Sequence, residues 1–329
     1  MLIAAAGLAL LIALVVFAVT TDDTSTSDVT GRAAGKHGQH AVGDDGPLLI
    51  GHIHGIAPTG DGGALIGAHY GVFAVDTDGN VVEHGERRSD TMGLTDVNNR
   101  DETGSGAESD VESGTYLASG HPNADETDKP IYAGLLTSTD GGATWEETAL
   151  TGEVDFHALD HEQGRTWGID SVTGRILTAT SHREWDTVDA GDLGPLLDVA
   201  ADPTRPSRAV VTNARGEAYA IRRNAPSGRV FTRLPSAPSL AWLDWPAGDV
   251  LAGLSPSGTA YVSTDAGRNW IEVGTVPGVP SALAVTADGN RSAEDGGGAA
   301  GQHWWVATDA GLYAAKDGAS FGNVFAFRE

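Results

Sequence analysis

The sequence predicts an all-β fold, a six-bladed β-propeller with four-stranded antiparallel blades behind one N-terminal transmembrane helix, and three observations carry this. From Leu48 onward, short β-branched or aromatic-rich apolar runs are cut every eight to twelve residues by Gly, Asp-Gly, Pro or Asn, and no long stretch has 3.6-residue periodicity. A turn phrase repeats: Ser138-Thr139-Asp140-Gly141-Gly142-Ala143-Thr144-Trp145 and Ser263-Thr264-Asp265-Ala266-Gly267-Arg268-Asn269-Trp270 both fit S-x-D-x-G-x-[TN]-W. Eroded copies end at Trp185, Phe231 and Phe321, so the aromatic anchors Trp145, Trp185, Phe231, Trp270 and Phe321 are 40, 46, 39 and 51 residues apart. That is the period of one four-stranded blade.

Composition removes several functions. With 45 acidic against 20 basic side chains, a net charge of -25 and a pI near 4.6, the surface repels nucleic-acid phosphates. The absence of Cys excludes disulfides, thiolate metal sites and a Cys nucleophile. No Walker motif, dinucleotide fingerprint, GxSxG elbow, HExxH or EF-hand loop occurs.

Taking the elements in order, residues 1–20 read as a membrane anchor or signal segment: Leu2 to Val19 is uninterruptedly apolar and as a helix spans roughly 27 Å, about a bilayer core. The run is longer than an ordinary signal h-region, which favours an uncleaved single-pass anchor. No basic cluster follows it to hold the body in the cytoplasm. The expected location is therefore the cell membrane with the body extracytoplasmic, secreted if the segment is cleaved. Residues 21–46, Gly-, Ser-, Thr- and Asp-rich with His37 and His40, read as a flexible tether. Residues 47–329 are the propeller, expected to be a monomer when freed of the N-terminal segment.

Counting back from the anchors gives blades of 48–88, 89–151, 152–192, 193–236, 237–277 and 278–327. Each opens with an apolar innermost strand: HIHGIA, DTMGLT, DFHALD, PLLDVA, PSLAWL and VPSALAV. Polar insertions at Asp96–Gly114 and Asp288–Gly301 read as surface loops. In the repeated phrase the Ser and Asp oxygens satisfy free backbone N–H groups, Gly takes positive φ, and the Trp folds back into the core of its own sheet.

These repeats resemble the Asp-box (BNR-repeat) propellers of the sialidase and sortilin-like superfamily. More narrowly, His52-Ile53-His54-Gly55, Ala68-His69-Tyr70-Gly71, Ser119-Gly120-His121-Pro122 and Gly152-Glu153-Val154-Asp155-Phe156-His157-Ala158 look like bacterial extracytoplasmic propellers labelled as glycosyl hydrolases. The resemblance covers about Leu48 to Phe327. It implies a reaction class but supplies no catalytic residue for this chain. A sialidase-like site would further require an Arg cluster and a Tyr–Glu nucleophile pair, and neither is recognisable in the sequence.

Blade topology separates the two faces. Third-to-fourth turns, which hold the Asp boxes, open on one face; innermost-strand starts and second-to-third turns open on the other. His52, His54 and His157 sit at innermost-strand starts of blades 1 and 3, Met92 at the equivalent place in blade 2, and His69 and His121 in second-to-third turns. Imidazoles suit Cu, Zn, Ni or Fe, and a thioether favours Cu(I), so the set predicts a transition-metal site, copper first and zinc otherwise. Asp90, Glu153 and Asp155 are candidate second-shell or alternative carboxylates. Two other functions fit the same face. One is hydrolysis of a non-sialic glycan by a carboxylate pair drawn from Asp90, Asp96, Glu153, Asp155 and Asp198. The other is non-catalytic binding of a glycan or cell-surface protein, with Trp242, Trp245, Trp304 and Trp305 as stacking candidates unless they are core.

Overall fold

The computed structural model describes residues 28–29, 48–97, 114–123, 126–181, 183–223, 230–287 and 301–327. The expected membrane segment, His37, His40 and most of both polar insertions lie outside these residues. Among the described residues no helix is long and apolar enough to cross a membrane.

Six antiparallel sheets of four strands follow one another along the chain, each built from consecutive strands. The innermost strands are Ile53–Pro58, Thr91–Asp96, Phe156–Glu162, Leu196–Ala201, Trp242–Ala247 and Pro280–Ala287. Every one falls inside the blade assigned from the aromatic spacing. No blade borrows a strand from the far end of the chain, so side-chain packing closes the ring. Ile53, Ile56, Ile66 and Phe73 of blade 1 form one buried cluster with Trp305, Leu312 and Phe325 of blade 6. A separate buried cluster fills each of the other five seams. Hydrophobic burial, which is non-directional, therefore acts mainly between blades, while the backbone ladder acts within them.

The two S-x-D-x-G-x-[TN]-W turns are one device repeated. Asp140 accepts from Thr144 N at 2.9 Å, Thr144 Oγ1 at 2.6 Å and Ser138 Oγ at 2.8 Å, and Trp145 Nε1 donates to Gly142 O at 2.9 Å. Asp265 accepts from Asn269 N at 2.8 Å, Asn269 Nδ2 at 2.7 Å and Ser263 Oγ at 2.9 Å, with Trp270 Nε1 on Gly267 O at 3.1 Å. The anchor does not end in its own sheet. Trp145 packs in the seam against Ala57, Leu65 and Val72 of the preceding blade, and Trp270 does the same against blade 4. The correction has a simple cause: a four-stranded sheet has no interior, so a large aromatic finds burial only between sheets.

Two of the four tryptophans set aside as possible sugar platforms are in the blade 6 seams: Trp304 and Trp305 are 0% and 3% exposed. Trp245 is buried between blades 4 and 5, and Trp242 lines the channel mouth. Inside the ring, carboxylates tie neighbouring innermost strands together. Asp160 accepts from Ala201 N at 2.6 Å, Asp198 from Leu243 N at 2.8 Å and Asp244 from Val285 N at 2.6 Å. Burial, with Asp160 and Asp244 nearby, pushes Asp198 up to about 8. This accounts for Asp198 as a strut between blades 4 and 5.

Candidate metal centre

The segment Arg87–Asp90 connects blades 1 and 2, and glycines hold it on both sides. Gly71, at φ +129°, passes so close that a Cβ would lie 2.3 Å from Arg87 O. Gly120, at φ +145°, would place one 1.9 Å from Asp90 O. No other residue fits at either position. Arg87 closes the same loop, donating through Nε to Thr91 Oγ1 at 2.8 Å and through Nη2 to Asp90 O at 2.7 Å. Asp90 is thereby wedged between His69 and His121, the residues two before Gly71 and one after Gly120.

Around Asp90 the five histidines converge. His54 Nε2 lies 3.4 Å from Asp90 Oδ1, His69 Nδ1 3.8 Å from the same oxygen, and His121 Nδ1 3.2 Å from Oδ2. His121 Nε2 stands 3.3 Å from Asp155 Oδ1, and His157 Nε2 3.0 Å from Asp155 Oδ2. His52 Nδ1 is 3.4 Å from His54 Nδ1, so one ring donates to the other and fixes its tautomer. The row His52–His54–Asp90–His121–Asp155–His157 thus runs across three blades, with His69 beside it.

Electrostatics divides this row into two parts. His54, 18% exposed, is pushed down to about 3 by burial, so its ring is neutral at physiological pH. His121 is raised to about 9 by its hydrogen bonds to Asp155 and Asp90, and is an imidazolium. Burial raises Asp90, but the His121 hydrogen bond and the attraction of His54, His69 and His121 outweigh it and hold the carboxyl below its ordinary range. Asp155 is likewise held down by His121, His157 and Ser171 against its own burial. With Asp90 and Asp155 both held ionised on either side of His121, neither of these two carboxyls is the protonated acid a glycosidase needs at neutral pH.

The other part has the geometry of a cation site. One donor atom each from His54, His69 and Asp90 lies within 4.8 Å of the other two. Tetrahedral bonds of about 2.05 Å place donors about 3.3 Å apart, so the 3.4 and 3.8 Å separations from Asp90 need little closure, while the widest separation in the group, up to 4.8 Å, needs about 1.5 Å. His54 Nε2 and Asp90 Oδ1, like Asp155 Oδ1 and His157 Nε2 further along the row, are buried and make no hydrogen bond, which is costly unless something binds them. His69, with 56% of its side chain exposed, leaves one side of the group open to solvent.

The remaining predicted residues stand apart. Met92 is buried at 5% exposure in the innermost strand, paired with Ser119. Glu153 is exposed in the turn before blade 3. The residue the sequence does not single out is Arg87, which braces the Asp90 loop through Thr91 and the Asp90 carbonyl.

No protein-family model matches the chain, and no curated protein matches it. Solved structures do. A gluconolactonase from Xanthomonas campestris superposes with a TM-score of 0.56 at 13% identity, covering 93% of this chain and 96% of that one. Virginiamycin B lyase from Staphylococcus aureus, solved with quinupristin, gives 0.50 at 12% identity over 83% and 84%. The likeness is one of fold alone.

Proposed function

We propose that this protein is an extracytoplasmic, membrane-tethered propeller of the Asp-box type that binds one transition-metal ion through His54, His69 and Asp90. The observation that carries this reading is the pair of buried, unbonded donors His54 Nε2 and Asp90 Oδ1, 3.4 Å apart and facing a third donor, the half-exposed imidazole of His69. Two imidazole nitrogens and a carboxylate suit Zn(II) or Cu(II), and a fourth position is left for water or a ligand. His52 orients His54, while His121 and Asp155 form the charged neighbourhood that sets the carboxylate.

Elemental analysis of untagged protein, followed by titration with zinc and with copper, tests the reading. One equivalent should bind to the wild type; His54→Ala and Asp90→Ala should each weaken binding at least tenfold. His157→Ala, which loses a contact to Asp155 and no donor of the group, should weaken it far less. Binding that survives both His54→Ala and Asp90→Ala, or none at micromolar metal, would refute the assignment. For the tether, protease added to intact cells should digest the body.

A further inference from the structure

Over blades 3 and 4, arginines outnumber carboxylates on the Asp-box face, where Glu162, Glu184, Asp186 and Asp202 also lie. On a chain of net charge -25, six arginines gather there. Arg165 and Arg208 begin the second strands of the two blades, and Arg205 precedes Arg208 in the turn. Arg183 lies in the third-to-fourth turn of blade 3, and Arg222 and Arg223 close the third strand of blade 4. Arg208 and Arg222 are direct cross-strand partners, a pairing of like charges that costs stability. Asp202 neutralises Arg208 at 3.1 Å and Asp186 neutralises Arg223 at 2.5 Å. Arg165, Arg183, Arg205 and Arg222 make no ion pair among the described residues. Trp167 Nε1 on Pro206 O at 3.2 Å ties blade 3 to the first turn of blade 4, and Arg223 N on Ser207 O at 3.2 Å extends the ladder within blade 4. Burial and the nearby Arg223 lower Arg165, and Arg205 and Arg222 bear on Arg208 in the same sense.

Repelling guanidinium groups held on a rigid frame are relieved by a bound oxyanion, and their planar forks match phosphate and sulfate bidentately. The large exposed apolar side chains, Leu49, Val82, Ile131, Val172, Ile271 and Val279, all lie elsewhere, so recognition here is by charge. We infer that the Asp-box face of blades 3 and 4 docks an acidic polysaccharide, an extended polymer bearing sulfate or phosphate esters. This does not depend on the metal reading.

Untagged full chain passed over immobilised heparin and, separately, immobilised phosphorylated dextran tests it, the two arms separating sulfate esters from phosphate esters. At about 50 mM salt the protein should be retained despite its net charge, and with about four contacts its affinity should fall roughly a hundredfold by about 200 mM. Arg205→Glu combined with Arg222→Glu, both exposed and unpaired, should weaken retention at least tenfold with the thermal transition unchanged, while His69→Ala should leave retention intact. If the double variant unfolds, Arg205→Ala alone carries the same comparison. No retention on either polymer, retention that survives the arginine changes, or binding to anionic vesicles without binding to either polymer would overturn the inference.

Discussion

Replacing Asp90 with Asn removes one of the two carboxylates that hold His121 protonated, and the structure sets the size and sign of the effect. The rise of His121 from 6.5 to about 9 corresponds to about 3 kcal/mol at about 1.4 kcal/mol per pKa unit. His121 keeps 28% of its side-chain exposure, so solvent screening reduces that figure, and Asp155 supplies the larger part. Asp90→Asn should therefore cost about 1 kcal/mol. Because the folded-state pKa is raised, this stabilisation is complete below the unfolded value of about 6.5 and disappears as pH climbs through about 9. Urea unfolding with chelator present, at about pH 6.5 and about pH 9.5, should show the variant weaker at the first and nearly equal at the second. Imidazole NMR should show His121 titrating closer to its ordinary value in the variant. A difference in stability independent of pH across that range, or a wild-type His121 that titrates below 7, would refute the argument.

Gly120→Ala should cost about 2 kcal/mol or more and abolish metal binding, because its Cβ meets the Asp90 carbonyl oxygen; calorimetry with zinc titration reads both. Trp167→Ala, at a fully buried seam between blades 3 and 4, should cost about 3–5 kcal/mol in urea unfolding yet leave metal stoichiometry at the rim unchanged. Asp140→Ala removes three accepted hydrogen bonds from one Asp box and should lower stability by about 1–2 kcal/mol, again without touching metal affinity.

The fold was legible because its period is covalent. The Asp-box phrase needs its Ser, Asp, Gly and Trp at fixed offsets to satisfy its own backbone, so spacing survives even where Trp is replaced by Phe at Phe231 and Phe321. The packing partner of each Trp was not legible. Which sheet buries Trp145 depends on how blades stack, and the phrase itself contains nothing of blade 1. Arg87 was obscured for the same reason: its side chain serves a loop rather than a repeat.

The histidine rim shows how far topology alone reaches. Strand starts and second-to-third turns placed His52, His54, His69, His121 and His157 together, and blade geometry brought them within contact through Asp90 and Asp155. What residue type left undetermined is charge. Five imidazoles read as five equivalent donors in the sequence, yet burial keeps His54 neutral while two carboxylates keep His121 protonated. A neutral ring can accept a cation and a protonated one cannot, so the division of labour is fixed by burial at His54 and by carboxylates at His121 rather than by the histidines themselves. Those carboxylates are in turn positioned by backbone. Asp90 sits where Gly71 and Gly120 allow two other chain segments to approach it, and the short phrases Ala68-His69-Tyr70-Gly71 and Ser119-Gly120-His121-Pro122 therefore carry both the histidine and the space its partner needs.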